Sequence, residues 1–273
     1  MMNTIVERLD GTRYDLEELG ITTRDFLVSA PIYKHTTESI ESRPGSIDLG
    51  TTYDVRKISC SFYLKAQNMD TYAIERDEVF HIFRSEEEFY LTDLRVPYKR
   101  WKVKCNDSFE MDQQRFYGFF DVEFVASLPF AISTLNTLMP DFDVYAQDAH
   151  YGMGLDWSNE LKYIHNVSYF NILNAGSVEV NPRYIPLSIK FKGPSSNLSI
   201  KNITTGDVWS YNKTTSANDT ILLAGVRSTK NSLSIFRDTN RKLITLAPGW
   251  NEFQLSGTTQ PFEIQFDFNF YYL

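Results

Sequence analysis

Three observations in the sequence predict a mainly β protein with one helix, organised in two domains. Aromatic residues make up 15% of the chain, with 20 Phe and 16 Tyr, and they fall in short alternating runs that favour sheet over helix. The two-residue period of a half-buried strand is clearest near the end, where Phe262, Ile264, Phe266, Phe268 and Phe270 alternate with Glu263, Gln265, Asp267, Asn269 and Tyr271. The third observation is length: 273 residues are long for one sandwich and comfortable for two domains, each with its own core.

From Tyr53 the chain alternates, with Ile58, Cys60, Phe62 and Leu64 on one face and Lys57, Ser59, Ser61 and Tyr63 on the other, which predicts a strand with one wet side. The period then changes. Asp70 is placed to cap a helix from Thr71 to about Ser85, with Val79, Phe80, Ile82 and Phe83 on one side and Glu75, Arg76, Asp77 and Glu78 polar. Strands follow at Phe89 to Leu91, at Trp101, Val103 and Cys105 between lysines, and at Phe120, Val122 and Phe124 between Asp121 and Glu123. The helix laid across these strands would bury both apolar faces.

Ala126, Ser127, Leu128, Pro129 and Phe130 close this region, and both periodicities are lost until about Trp157, so a linker or crossover is placed near 131–160. The expected domains are 1–139 and 140–273. Leu187, Ile189 and Phe191 resume the alternation, and short strands are expected near Leu198 to Ile203, Asp207 to Tyr211, Thr220 to Leu223, Leu233 to Phe236 and Lys242 to Leu246. Their roughly ten-residue spacing, with turn residues between, is that of an antiparallel sandwich. Pro248-Gly249 and Ser256-Gly257 read as turns bracketing one more strand, and the Phe-rich segment ending at Leu273 is expected to lie inside the fold.

Composition narrows the function. A formal charge of −8 and a pI near 5.1 disfavour a protein that grips nucleic acid, which needs excess Lys and Arg against phosphates. No basic start followed by an apolar run and no 18-residue apolar segment occurs, so synthesis and retention in a cytoplasm are expected, without membrane insertion. Cys60 and Cys105 read as small buried thiols, and six Asn-x-Ser/Thr sequons, among them Asn166 and Asn202, as polar loop and strand-edge residues.

Nucleophilic catalysis would need an activated Ser or Cys beside a base, and no such pattern surrounds His35, His81, His150 or His165. No catalytic residue, cofactor or metal ligand is assigned. Glu86, Glu87 and Glu88 point in different directions and read as a solvated loop rather than a cation site. Phe116, Tyr117, Phe119 and Phe120 exceed what one strand face can bury, which marks Phe116, Tyr117 and Phe119 as candidates for a contact between subunits. Trp209, Tyr211 and Trp250 admit a second reading, stacking on sugar rings, against the ordinary one in which they fill a core.

Taken in order, Arg43, Pro44, Gly45, Leu49, Gly50, Tyr53, Asp54, Val55 and Arg56, the helix with Arg76 and Asp77, then Val96, Pro97, Tyr98, Lys99 and Trp101 resemble the N-terminal domain of siphophage distal tail proteins. Ser127 to Phe130 is similar to that domain's final Pro-aromatic step. Asn174, Ala175, Gly176, Pro182, Ile203 to Gly206, the Pro-Gly-Trp-Asn turn at 248–251 and the last strand resemble the family's C-terminal domain. The resemblance implies a ring-forming β-sandwich or split-barrel domain with one helix, followed by a galectin-like or jelly-roll sandwich. It further implies a virion protein at the tail tip or baseplate, six copies forming a ring that joins the tail tube to the host-attachment apparatus. Partners implied are the tail tube protein, the tape-measure protein, and tail-associated and receptor-binding proteins, with DNA passing through the lumen. If the loop from Ser42 to Gly50 lies at the ring contact, Arg43, Gly45 and Leu49 are its interface candidates. The alternative function is a carbohydrate-binding module for adhesion to the host cell wall.

Overall fold

The structure is a computed structural model that describes residues 2–42, 44–139, 153–155, 161–259 and 261–273. It is mainly β, with antiparallel pairing throughout and, among the described residues, one α-helix, so the predicted fold class is borne out. The chain forms two compact units, Met1–Ile132 and Ser133–Tyr272.

In the first unit the strands are β1 (Thr4–Arg8), β2 (Arg13–Asp15), β3 (Ile21–Val28), β4 (Tyr33–Glu38), β5 (Ile47–Tyr53) and β6 (Arg56–Lys65), then helix α1 (Tyr72–Ile82), then β7 (Phe89–Asp93), β8 (Lys99–Cys105), β9 (Asp112–Gln114) and β10 (Tyr117–Ala126). β1 pairs with β2 and β7, β7 with β8, β8 with β10, and β10 with β9 and β6, while β6 carries β3 on its other edge. The wet and dry faces of β6 and β10 fall where the alternation puts them: Ile58, Cys60, Phe62, Leu64, Phe120, Val122 and Phe124 are all buried. Against this face lies α1. Its residues Val79 and Ile82, with Phe83 just beyond its end, are buried, and the Phe83 ring sits 5.5 Å from Phe62 and 5.7 Å from Phe124.

The helix start differs from expectation. Its N-cap is Thr71, and Asp70 does not cap it, because Asn68 already bends the preceding turn by accepting the Asp70 and Thr71 N–H groups at 2.8 and 2.9 Å. It also stops at Ile82. Phe80, assigned to the apolar side, is exposed and lies edge-on to Phe109 at 5.5 Å. Cys60 is buried, whereas Cys105 is half-buried and its thiol donates to the Phe83 carbonyl at 3.2 Å; burial pushes both thiols up, away from the reactive thiolate.

In the second unit the elements are β11 (Ala131–Asn136), whose first two residues belong to the first unit, β12 (Ile164–His165), β13 (Tyr169–Asn174), β14 (Leu187–Lys192), β15 (Ser195–Asn202), β16 (Val208–Thr215), β17 (Thr220–Ala224), β18 (Arg227–Lys230), β19 (Leu233–Ser234), a 3-10 turn at Phe236–Asp238, β20 (Gly249–Thr258) and β21 (Glu263–Tyr272). One sheet runs β19-β18-β17-β14-β21, with β11 and β12 also on β21, and the other runs β13-β20-β15-β16. Their inner faces share one apolar core, in which Phe191, Trp209, Phe253, Phe266 and Phe268 are among the largest fully buried side chains. The Phe253 and Phe266 rings meet at 4.8 Å.

Several sequence expectations fail here for identifiable reasons. The stretch 131–160 is no plain linker, since β11 occupies its start; residues 140–152 and 156–160 lie outside the described residues, so His150 and Trp157 do too. Ser256-Gly257 is not a turn but part of β20. Gly257 has φ +75, and a Cβ there would run into the carbonyls of Ser196 and Asn197, where the register of β15 shifts. Lys242 to Leu246 forms no strand. Only Leu246 pairs through its backbone, in an isolated bridge with Val180, and side chains hold its neighbours: the Thr245 carbonyl accepts from Asn202 Nδ2 at 2.8 Å, the Thr245 N–H donates to Asp207 at 2.9 Å, and the Ala247 N–H donates to Asn251 Oδ1 at 2.9 Å. Asn202, read as an edge residue, is therefore fully buried. Tyr271, placed on the polar face, is buried as well.

Candidate functional site

The predicted loop of residues 42–50 is part of a two-stranded arm. β4 and β5 pair only with each other, from Tyr33↔Tyr53 to Glu38↔Ile47. The Ile32 carbonyl accepts from the Asp54 N–H at 2.9 Å, so the arm leaves and rejoins the first unit at one point. Between Thr36 and Thr37 the register slips: Leu49 is the extra residue, and Gly50 takes φ +134 while its N–H donates to Asp48 Oδ1 at 2.9 Å. Leu49 is 58% exposed, Tyr33 51% and Leu27, in β3 just before the arm, 63%. Ile32, Ile40 and Tyr53 are exposed too. Gly45 lies exposed at the tip, and Arg43 lies outside the described residues.

A hairpin open to solvent on both faces has no core of its own and is marginal in isolation. What steadies this one is at its base, where Tyr53 meets Tyr33 at 5.4 Å and Phe130 at 5.5 Å. Below them Arg56, only 7% exposed, stands 5.2 Å from the Trp101 ring and donates to the Pro129 carbonyl at 3.5 Å. Its Nε has no hydrogen-bond partner among the described residues, and burial lowers the pKa of its guanidinium.

The other three interface candidates form a second patch at the far end of β6. The Phe116 and Tyr117 rings meet tilted at 4.5 Å, and Phe119 faces Tyr63 across the ladder at 5.9 Å with the Arg24 guanidinium 5.9 Å from its ring. All three are half-buried. Sequence reading missed Tyr63 and Arg24 as members, although Tyr63 already stood on the wet face of β6; the missing signal was the register that sets Tyr63 opposite Phe119.

The sugar-stacking residues fare differently. Trp209 is 1% exposed and Tyr211 is buried, so neither presents a face to a ligand, and Trp250 is half-buried. They fill the sandwich, as bulky aromatics do. Glu88 is not freely solvated as expected: its carboxylate pairs with Lys102 at 2.8 Å, and the Glu86 carbonyl takes the Lys104 amine at 3.2 Å. Of the histidines, His35 Nδ1 meets Thr51 Oγ1 at 2.7 Å on the arm, His81 is exposed on α1, and His165 stacks on Phe170 at 4.3 Å.

Residues 9–126 match the family model of the phage tail protein RIFT-related domain. No curated protein matches the chain. Among solved structures the chain is similar to the crystal structure of SPP1 Dit (gp 19.1), described as a paradigm of hub adsorption apparatus in phages infecting Gram-positive hosts, with 11% identity, 99% of each chain covered and a TM-score of 0.70. It also aligns with a chain of the phage P2 baseplate in its activated conformation with Ca, at 10% identity over 99% of this chain and 98% of that one, with a TM-score of 0.46. The tail-protein resemblance read from the sequence is thus borne out at the first unit by the family match and along the chain by the fold.

Proposed function

We propose that the chain, whose residues 9–126 match the family model of the phage tail protein RIFT-related domain, is a structural protein of the distal siphophage tail and works by assembly rather than by chemistry. Six copies close a ring through the first unit. The observation that carries this reading is the arm of β4 and β5, which exposes Tyr33, Leu49 and Tyr53 and pairs with no other strand among the described residues. Exposed apolar surface on this scale is what a protein keeps for a partner. A contact made between two different faces of one chain either closes on itself or runs on as a filament, and closure gives a hub.

In this reading Leu49, Gly45 and Arg43 on the arm, and Phe116, Tyr117 and Phe119 at the second patch, lie at subunit contacts. The tube protein stacks above the ring and the tape measure passes within it. Tail-associated and receptor-binding proteins dock below. The excess of acidic over basic residues falls almost wholly in the first unit, which supports a lumen that DNA crosses without adhering. The protein is made in the host cytoplasm and ends at the tail tip of the virion. Antibodies against the chain, imaged on intact particles by immunogold electron microscopy, should label the tail tip; label along the whole tube, or on the head, would overturn the assignment.

A further inference from the structure

A groove on the first unit shares no lining residue with the arm or the aromatic patch, although its Lys65 is paired with Tyr117 in the β6–β10 ladder. The turn Leu16 to Gly20 and helix α1 stand on either side of the end of β6, and the space between them is a cavity of about 430 Å³. Its floor is apolar and buried: Ile21, Leu64, Val79 and Ile82. Leu19, exposed, forms part of one wall. The turn beside it depends on Gly20, which takes φ +75 and packs so close to the Lys65 carbonyl that a Cβ would stand 3.1 Å from it.

The rim is acidic. Glu18 comes from the turn, and Glu75 and Glu78 come from α1, against one amine, Lys65. Glu75 accepts the Gln67 N–H at 3.2 Å, while Glu18 and Glu78 are exposed and in no ion pair among the described residues. A channel with aliphatic walls and a carboxylate on each lip suits a chain segment that brings an aliphatic side chain next to a cationic one. Lysine and arginine meet both needs, since their stems lie along apolar surface and their charged heads reach outward. The first unit of a second copy is a poor occupant, because it is acidic overall and its arm carries Glu38, Glu41 and Asp48 against Lys34 and Arg43.

We infer that the groove between Leu16–Gly20 and α1 is a docking site for a basic, aliphatic peptide segment of a different protein. The probe is the capped tetrapeptide Ac-Lys-Leu-Lys-Ile-NH2, titrated into the full chain labelled at its Ile, Leu and Val methyl groups and followed by NMR. The methyl signals of Ile21, Leu64 and Val79 should shift saturably, and added salt should weaken the effect. The double variant Glu18→Gln, Glu78→Gln, which alters only exposed side chains, should bind about threefold or more weakly. The peptide Ac-Glu-Leu-Glu-Ile-NH2 should leave those signals in place. No saturable shift at these methyls, equal binding of the acidic peptide, or unchanged affinity in the double variant would overturn the inference. So would concentration-dependent shifts at the same methyls without peptide, which would make the occupant a second copy.

Discussion

At the scale of single residues the second unit is held by buried polar groups as much as by its phenylalanines. Asn251 is fully buried and serves both the N–H and the carbonyl of Ala247, at 2.9 and 2.8 Å, while its Oδ1 also takes Asn202 Nδ2 at 3.0 Å. Truncation would leave these partners buried and unmet. We expect Asn251→Ala to cost about 1–3 kcal/mol in urea unfolding of the full chain, with the loss confined to the second unit. His165 sets a pH dependence. Burial against Phe170 holds its pKa below the ordinary 6.5, so the folded state prefers the neutral ring. A group whose folded pKa is depressed contributes fully above its unfolded value, and that contribution is lost as pH falls through the folded one. Melting temperature should therefore drop between about pH 7 and about pH 5, and His165→Gln should flatten that drop. Asp219 acts lower on the scale. Hydrogen bonds from the Ser216 N–H and Asn231 and the Lys230 amine hold its carboxyl well below the usual range, so its contribution disappears only as the pH falls below about 4.

At the scale of elements, what was legible in the sequence was whatever buries one face by strict alternation or helical spacing. β6, β10, β14 and β21 stood out because their apolar residues keep the period along eight or more positions or against a polar neighbour at every step. The arm was illegible. Tyr33–Glu38 buries nothing, so no hydrophobic period marks it, and only cross-strand pairing with β5 makes it a strand. The same holds for the Tyr63 and Phe119 pairing at the aromatic patch, which exists in register and not in either segment alone. Lys242 to Leu246 misled in the opposite direction, alternating like a strand while its backbone pairs with another only at Leu246 and Val180 and is otherwise met by asparagine and aspartate side chains. Because Ile32 and Asp54 already touch through a backbone hydrogen bond, the arm can be replaced by a short glycine link between them. We expect that deletion to leave the melting temperature of the first unit within a few degrees of wild type and to abolish self-assembly by size-exclusion chromatography with light scattering. A first unit that no longer folds would place the arm in its core.

At the scale of the whole molecule, two units of unlike character follow one another in the chain: an acidic one that matches a phage tail domain and leaves an arm uncovered, and a sandwich that buries most of its phenylalanines while Tyr169, Tyr184 and Phe236 stay exposed. The first exposes the arm on which the proposed assembly rests, and in the second Trp209 and Tyr211 are buried and Trp250 is half-buried. The account's central claim is closure of the first unit into a ring. Its most direct test is the mass of the purified full chain by light scattering, followed by negative-stain imaging of the same fraction. A particle of six chains of 31.7 kDa, seen end-on as a closed ring with a central hole, is the result predicted here. A monomer at every concentration, together with no ring in assembled virions, would contradict it.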